Sequence, residues 1–230
     1  MLDVSKLNQY YGESHTLWDM ELNVPEGSCT ALMGRNGVGK TTLLKSVMGL
    51  LKVRTGSIKF GAHELAQAAP ETRARRGIGY VPQGREIFGQ LSVYENLRTG
   101  LPARADKATE VPERVYQLFP VLKTMMRRRG GDLSGGQQQQ LAMGRALAID
   151  PKLLILDEPC EGIQPNIVSQ IADVLIELRA SGLTILLVEQ KLPFVRKVAD
   201  RFCIMDRGRA VKTGEIHEVD DDVVAKYLTV

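Results

Sequence analysis

A chain of 230 residues can form one large domain, or a core with a smaller lobe. Its 43% hydrophobic and 25% charged residues are ordinary for a globular protein, and 30 Lys and Arg against 27 Asp and Glu leave a net charge of only +3. That excess is too small to argue for a nucleic-acid partner, and no apolar run approaches the ~20 residues that span a bilayer.

The opening MLDVSKLNQYYG places Asp3 and Lys6 where a signal peptide needs an apolar stretch, so no leader is expected there. Over the first sixty residues, short β-like runs alternate with turns: LDVSKL, TLWDMELNV, SCTALM and GSIKFG. A glycine-rich turn follows SCTALM, and residues 41–50 read as a helix. IGYVP, 78–82, is a compact apolar run of the kind that forms a buried strand. From 91 to 149 the character changes: SVYENLRTGL, ERVYQLFPVL and QLAMGRALAI have helical spacing, and a run of glutamines occupies 137–140. LLILD, 153–157, predicts a buried strand. Residues 166–180 predict an amphipathic helix with Ile167, Ile171, Val174, Leu175 and Leu178 on one face. TILLV is the next strand, and FCIMD with RAVKTG form a closing β pair.

Strands alternating with helices imply a mainly parallel sheet with crossover helices. The expected architecture is a single domain over 1–230. Residues 1–90 and 150–230 form an α/β core with an N-terminal antiparallel β subdomain, and a helical subdomain is inserted at about 91–149. Cys29, Cys160 and Cys203 are odd in number and far apart, which argues against a disulfide framework or a zinc site and for a reducing compartment. The scattered His15, His63 and His217 suggest no metal role. Arg73, Arg75 and Arg76, and the run Arg127–Arg129, read as solvated basic faces.

GRNGVGKT, Gly34 to Thr41, is G-x-x-x-x-G-K-T directly after a strand and before a helix. Gly34, Gly37 and Gly39 let the backbone curl through Arg35, Asn36 and Val38 so that amide N–H groups point at phosphate oxygens. The helix N-terminus at Thr42 adds a favourable dipole, Lys40 a charge at the β- and γ-phosphates, and the Thr41 hydroxyl a Mg²⁺ ligand. The bland alternative is a glycine-rich turn with a coincidental Lys-Thr; the strand and helix on either side count against it. In LLILDEP the strand ends on Asp157, a carboxylate suited to hold Mg²⁺ through water. Glu158 follows as the group that polarises the attacking water, a role worth ~10²–10⁴-fold in rate, against the reading of a solvated acid at a strand end. In DLSGGQQQQL, Leu133, Ser134, Gly135, Gly136 and Gln137 offer a second anion-binding helix terminus, or no more than an N-cap serine with a glycine turn.

GRNGVGKTT, LSGGQ and LLILDEP in this order resemble the ATP-binding subunit of an ABC transporter, over essentially the whole chain. The resemblance implies the ABC variant of the P-loop NTPase fold and an ATPase using ATP and Mg²⁺. It implies two subunits facing head to tail, each ATP held by one P-loop and the other subunit's LSGGQ. It implies that Tyr11, in QYYGES, stacks on adenine, with Tyr10 the neighbour that could be confused with it. Gln83, ending YVPQ, would join Mg²⁺ and the attacking water to the helical insertion. Ile87, Phe88 and Leu91 would line a docking groove for membrane subunits, or else belong to the subdomain core.

QYYGESHTLWDM, GRNGVGKTTLLK, GYVPQGREIF and DEPCEGIQP are similar to the branched-chain amino-acid class of importer, and closest to its urea-transporting version, as the shorter of the two ATPases. That resemblance implies a second, different ATPase subunit, two membrane permease subunits and, indirectly, a periplasmic solute-binding protein. It places the chain peripherally on the cytoplasmic face of the inner membrane, with no nucleic-acid partner, and leaves open a homodimer in isolation. Two positions depart from the general pattern: Gln164 in GIQP stands where an Asp is usual, and Gln190 where a His that contacts the γ-phosphate is usual. An amide can donate to phosphate but brings no titratable proton, so Gln190 is expected to bind ATP, and Glu158, Lys40 and Gln83 to carry catalysis. A soluble ABC-type ATPase acting on nucleic acid or the ribosome is the competing class, and a single cassette of 230 residues argues against it. A non-hydrolysing regulator is disfavoured by Glu158.

Overall fold

The computed structural model describes residues 1–228. Strands β1 (Leu2–Tyr11) and β2 (Ser14–Val24) form a hairpin, paired from Leu2 with Val24 to Tyr11 with Ser14. Strand β3 (Cys29–Met33) follows, then helix α1 (Lys40–Val47), β4 (Thr55–Phe60), β5 (His63–Glu64), α2 (Pro70–Arg75) and β6 (Ile78–Val81). Helices α3 (Val93–Arg98), α4 (Glu113–Leu118), α5 (Pro120–Thr124) and α6 (Gly135–Leu147) occupy the stretch before β7 (Leu153–Asp157). The chain then runs through α7 (Pro165–Ala180), β8 (Thr184–Val188), α8 (Leu192–Val198), β9 (Arg201–Asp206), β10 (Arg209–Glu215) and α9 (Asp221–Tyr227).

Two sheets result. The larger has strand order β10-β9-β3-β8-β7-β6 and is parallel except where β10 pairs with β9, as the alternating pattern predicts. The smaller is antiparallel, in the order β2-β1-β4-β5. Every residue of β3, β7 and β8 is buried, because both faces of the larger sheet are covered. The strand period of two divides them cleanly. Leu154, Leu156, Ile185 and Leu187 pack with α6, α7 and α8 on one face. Leu153, Ile155, Leu186 and Val188 pack with α1 and the smaller sheet on the other. This alternation aims the residues at the strand ends.

The helical stretch is more broken than its sequence suggests. ERVYQLFPVL reads as one helix, yet α4 stops at Leu118 and α5 restarts at Pro120, with Phe119 between them at φ −130°, ψ 74°. Proline lacks an N–H and its ring disfavours helical geometry in the residue before it, which overrides the apolar spacing. SVYENLRTGL likewise forms only α3, started by a reciprocal cap between Ser92 and Glu95. Helix α6 begins at Gly135, earlier than the glutamine run.

Arg73 corrects a second expectation. Arg75 and Arg127–Arg129 are exposed, but Arg73 is only 1% exposed. Its guanidinium donates to Ser46 O and Val47 O at 2.7 Å each, to Ala68 O at 2.9 Å and to Ala66 O at 3.2 Å. Two of those carbonyls end α1, where a cation also complements the helix dipole. Gly49 makes room, since a Cβ there would lie 2.7 Å from Arg73 Nε. Arg73→Met keeps the bulk and strands the carbonyls. It is expected to cost about 2–4 kcal/mol in urea unfolding, with Arg73→Lys recovering only part. An unchanged midpoint would show that water caps the helix equally well.

Candidate active site

The carboxyl ends of the adjacent parallel strands β3, β8, β7 and β6 lie side by side along one edge of the sheet, the usual ligand position in such sheets. At the first of them the chain turns at Gly34, where φ is 143° and a Cβ would lie 2.4 Å from Met205 O, so only glycine fits. The loop ends at Gly39, the N-cap of α1, with φ 108° and no side-chain cap. With no cap and no acid in its first turn, α1 presents free N–H groups and the positive end of its dipole. Lys40 is 6% exposed, and its Nζ donates to Gly34 O at 2.7 Å and Arg35 O at 2.9 Å. Burial lowers its pKa, and Glu158 and Asp157 oppose that shift.

Along β7 the alternation puts Leu153 and Ile155 on the α1 face, and the next residue in phase is Asp157. Asp157 is 1% exposed, and neither carboxylate oxygen has a hydrogen-bond partner in the described chain. Burial pushes its carboxyl up to about 6, the charge of Glu158 adds to the effect, and Thr41, Lys40 and Lys45 oppose it. A buried acid with both oxygens free, beside a threonine hydroxyl, suits a hard cation that takes oxygen ligands. Among the described residues no group of three or more His, Cys, Asp or Glu converges on a metal position. A cation at Thr41 and Asp157 would take its remaining oxygen ligands from neutral side chains, phosphate or water.

Glu158, one residue on, has φ 50°, uncommon for a side chain of this size, and its N–H bonds Val188 O at 2.9 Å. The same period of two, carried along β8 through Leu186 and Val188, brings Gln190 to this face. Its Nε2 donates to Glu158 Oε1 and to Asn36 Oδ1, both at 2.7 Å. The amide thus ties the acid to the glycine loop. Glu189 points the other way, is 4% exposed, and accepts from the N–H groups of Cys160, Gln190 and Lys191. Cys160 is buried, and burial raises its pKa further, so its thiol is inert. All three cysteines are unpaired.

The adjacent tyrosines separate. The Tyr10 ring stacks on His15 at 4.0 Å, with Trp18 on the far side of that imidazole at 3.6 Å and Arg54 over Tyr10 at 4.8 Å. Tyr11 is 49% exposed, with its hydroxyl 3.5 Å from Thr42 Oγ1 at the start of α1. Gln83, past the end of β6, donates to Glu161 Oε2 at 3.0 Å. Phe88 is 50% exposed, whereas Ile87 packs partly against the core and Leu91 is half-buried.

Ser134 is the N-cap of α6: its Oγ accepts from Gln137 N at 3.4 Å, and Gln137 Oε1 accepts from Ser134 N at 3.0 Å. Gly136 lies against Ile167 of α7, where a Cβ would come within 3.0 Å. Ser134, Gly135, Gly136, Gln137, Gln164 and Ile167 help line a cavity of about 730 Å³ that contains no residue of the 34–42 loop. Leu133, just before the cap, is buried. One chain thus holds two phosphate-type features in separate places. Sequence reasoning missed Glu161, Arg85 and Gln138, which meet beside the start of α6. Only the glutamine run marked one of the three.

A glycine loop feeding an uncapped helix, beside a buried Asp157 and a half-buried Glu158 at the end of a parallel strand, defines a P-loop ATPase. Residues 17–161 match the family described as ABC transporter, and the chain belongs to that family of ATP-hydrolysing cassettes. It is 41% identical over 213 residues to the high-affinity branched-chain amino acid transport ATP-binding protein BraG of Pseudomonas aeruginosa, covering 92% of this chain and 91% of that one. A probable branched-chain amino acid transport ATP-binding protein, LivF of Archaeoglobus fulgidus, is 38% identical, covering 95% and 94%. The lipopolysaccharide export ATP-binding protein LptB of Haemophilus influenzae is 33% identical, covering 99% and 97%. Among solved structures, a nucleotide-free ATP-binding cassette from an ABC transporter matches with TM-score 0.83 at 28% identity, covering 97% of each chain.

Proposed function

We propose that this ATPase is the shorter of two different ATP-binding subunits in an importer for urea, a related small amide or a branched-chain amino acid. The observation that supports a shared site is the separation of Ser134–Gln137 from the 34–42 loop within one chain. A second ATPase chain would bring its own loop to the Ser134 cavity and its own LSGGQ to Lys40. The importer class is favoured over export by the order of identity, 41% and 38% to branched-chain amino-acid subunits against 33% to an export subunit. Urea in particular rests on the motif pattern VPQGREIF and DEPCEGIQP. We take residues 91–149 as the helical subdomain, with Phe88 offered to one of two permease subunits. No helix of the described chain is long and apolar enough to cross a membrane, so attachment to the cytoplasmic face would run through those subunits.

In this reading Tyr11, free of the Tyr10 stack, is the platform for adenine, and stacking of this kind is worth ~1–3 kcal/mol. The 34–42 amides and Lys40 hold the phosphates. Thr41 and Asp157, with Gln83, would hold Mg²⁺, which when bound neutralises phosphate oxygens. Glu158 accepts the proton of the attacking water, and Gln190 keeps that carboxylate facing the loop. Ser134 and the first amides of α6 complete the partner's site. Uptake of labelled urea and of labelled leucine, compared in cells with and without this chain alone, tests the substrate class. Loss of urea uptake with leucine uptake intact is the expected result. The reverse assigns a branched-chain amino acid, and loss of neither removes the importer reading. Tight, salt-sensitive binding to RNA or DNA would favour the nucleic-acid class.

A further inference from the structure

Gly84, Arg85 and Glu86 make a turn in which consecutive residues have φ of 78°, 71° and 45°. Glycine enters that region freely; arginine and glutamate do so only where their surroundings determine it. Here the surroundings act on Arg85. Its Nη1 donates to Gln138 Oε1 of α6 at 3.3 Å, and its Nη2 reaches Glu161 O, in the loop after Cys160, at 3.5 Å. Its own carbonyl accepts from Arg145 Nη2 at 3.2 Å. The guanidinium lies so close to Gly135 that a Cβ there would come within 3.2 Å of it. A cation beside a helix N-terminus opposes the helix dipole, so the charge of α6 does not account for this placement. The bridge does.

Both elements that Arg85 joins line the same cavity: Ser134–Gln137 from α6, and Gly162 with Gln164 from the loop that Glu161 opens. Glu161 also accepts from Gln83, so the two ends of the 83–85 segment hold one residue of that loop. Arg145, which pins the turn from below, has its guanidinium 5.3 Å from the ring of exposed Phe88. We propose that Arg85 is a positioning residue for the nucleotide site completed between chains, holding the start of α6 and loop 161–164 at one separation so that both meet the partner's nucleotide together. The proposal rests on the shared-site reading above. A rigid planar fork suits a bridge between two acceptors; a lysine, one point donor on a flexible stem, does not.

The test uses the intact transport complex purified through a tag on this chain, together with the isolated chain. Arg85→Ala should lower kcat for ATP about ten- to a hundredfold, with KM and the isolated chain's affinity for a fluorescent ATP analogue changed less than about twofold. Arg85→Lys should restore only a minor part of kcat. Gln138→Leu should lower kcat in the same direction, and the double variant Arg85→Ala with Gln138→Leu should be no slower than Arg85→Ala alone. Wild-type kcat in Arg85→Ala, or strict additivity in the double variant, overturns the proposal. So does a parallel fall in the isolated chain's nucleotide affinity or melting temperature, which would make Arg85 part of its own site or of the fold. Full activity of Ser134→Arg would overturn the shared-site reading itself, and the proposal with it.

Discussion

Glu158→Gln is expected to lower ATP hydrolysis by about 10²–10⁴-fold and to leave ATP binding within a few-fold of the wild type. The expected split follows from the geometry. The new side chain is isosteric, its Oε1 can still accept from Gln190 Nε2, and the strained φ of 50° is no worse for Gln than for Glu. What disappears is the capacity to accept a proton. Lys40 and the 34–42 amides, which would hold the phosphates, are untouched. Because Gln190 carries no titratable group, the pH profile of kcat should lack a step near the ordinary histidine range of about 6.5 contributed from that position. Single-turnover hydrolysis and equilibrium nucleotide binding, measured on the same complex, check the split. Unchanged turnover would remove Glu158 from its role or show that the partner chain's site dominates. Binding lost together with turnover would mean that the Asn36–Gln190–Glu158 tie holds the loop itself together.

The second large effect has opposite signs for stability and for function. Asp157 is 1% exposed with both oxygens unpartnered, and its carboxyl is pushed up to about 6 from 3.8. Between those values the folded chain keeps a proton that the unfolded chain releases. This contribution to stability is therefore full below about pH 4, is lost as pH rises toward about 6, and stays lost above. Asp157→Asn removes the dependence. In EDTA at pH 7.5 the variant should be more stable than the wild type by about 2–3 kcal/mol, the advantage vanishing near pH 4. With ATP and Mg²⁺ the order should reverse, because only the wild type offers the cation a buried anion and is stabilised by mass action. Urea unfolding at several pH values, with and without ATP and Mg²⁺, reads both arms. Parallel pH curves for the two proteins would show that Asp157 is solvated well enough to ionise freely.

Much of the site was legible because its signals are local. GRNGVGKT needs only its own glycines, its lysine and the helix that follows. LLILD and TILLV are too apolar to be anything but buried strands, and their period of two already aims Asp157 and Gln190 at the face that carries α1. LSGGQ carries its own cap, Ser134 to Gln137. The helical stretch was legible only in type. Apolar spacing made one helix of ERVYQLFPVL, and the steric demand of Pro120 on Phe119 divided it.

What the chain alone determined, then, was the class of site and the strand ends on which it stands, since both follow from residue type and a two- or 3.6-residue period. Only the tertiary structure decided which polar groups meet. Arg73 looks like one of several surface arginines until its four carbonyl partners, drawn from two separate segments, surround it. That the Gln190 amide bridges Asn36 and Glu158, 154 and 32 residues away, is written nowhere along the chain. Gln83, Arg85, Gln138 and Glu161 converge from two loops and a helix. Backbone patterning is a near-neighbour property and is written along the chain. A polar side chain has only a few partners, and which ones it finds depends on how distant segments close on each other.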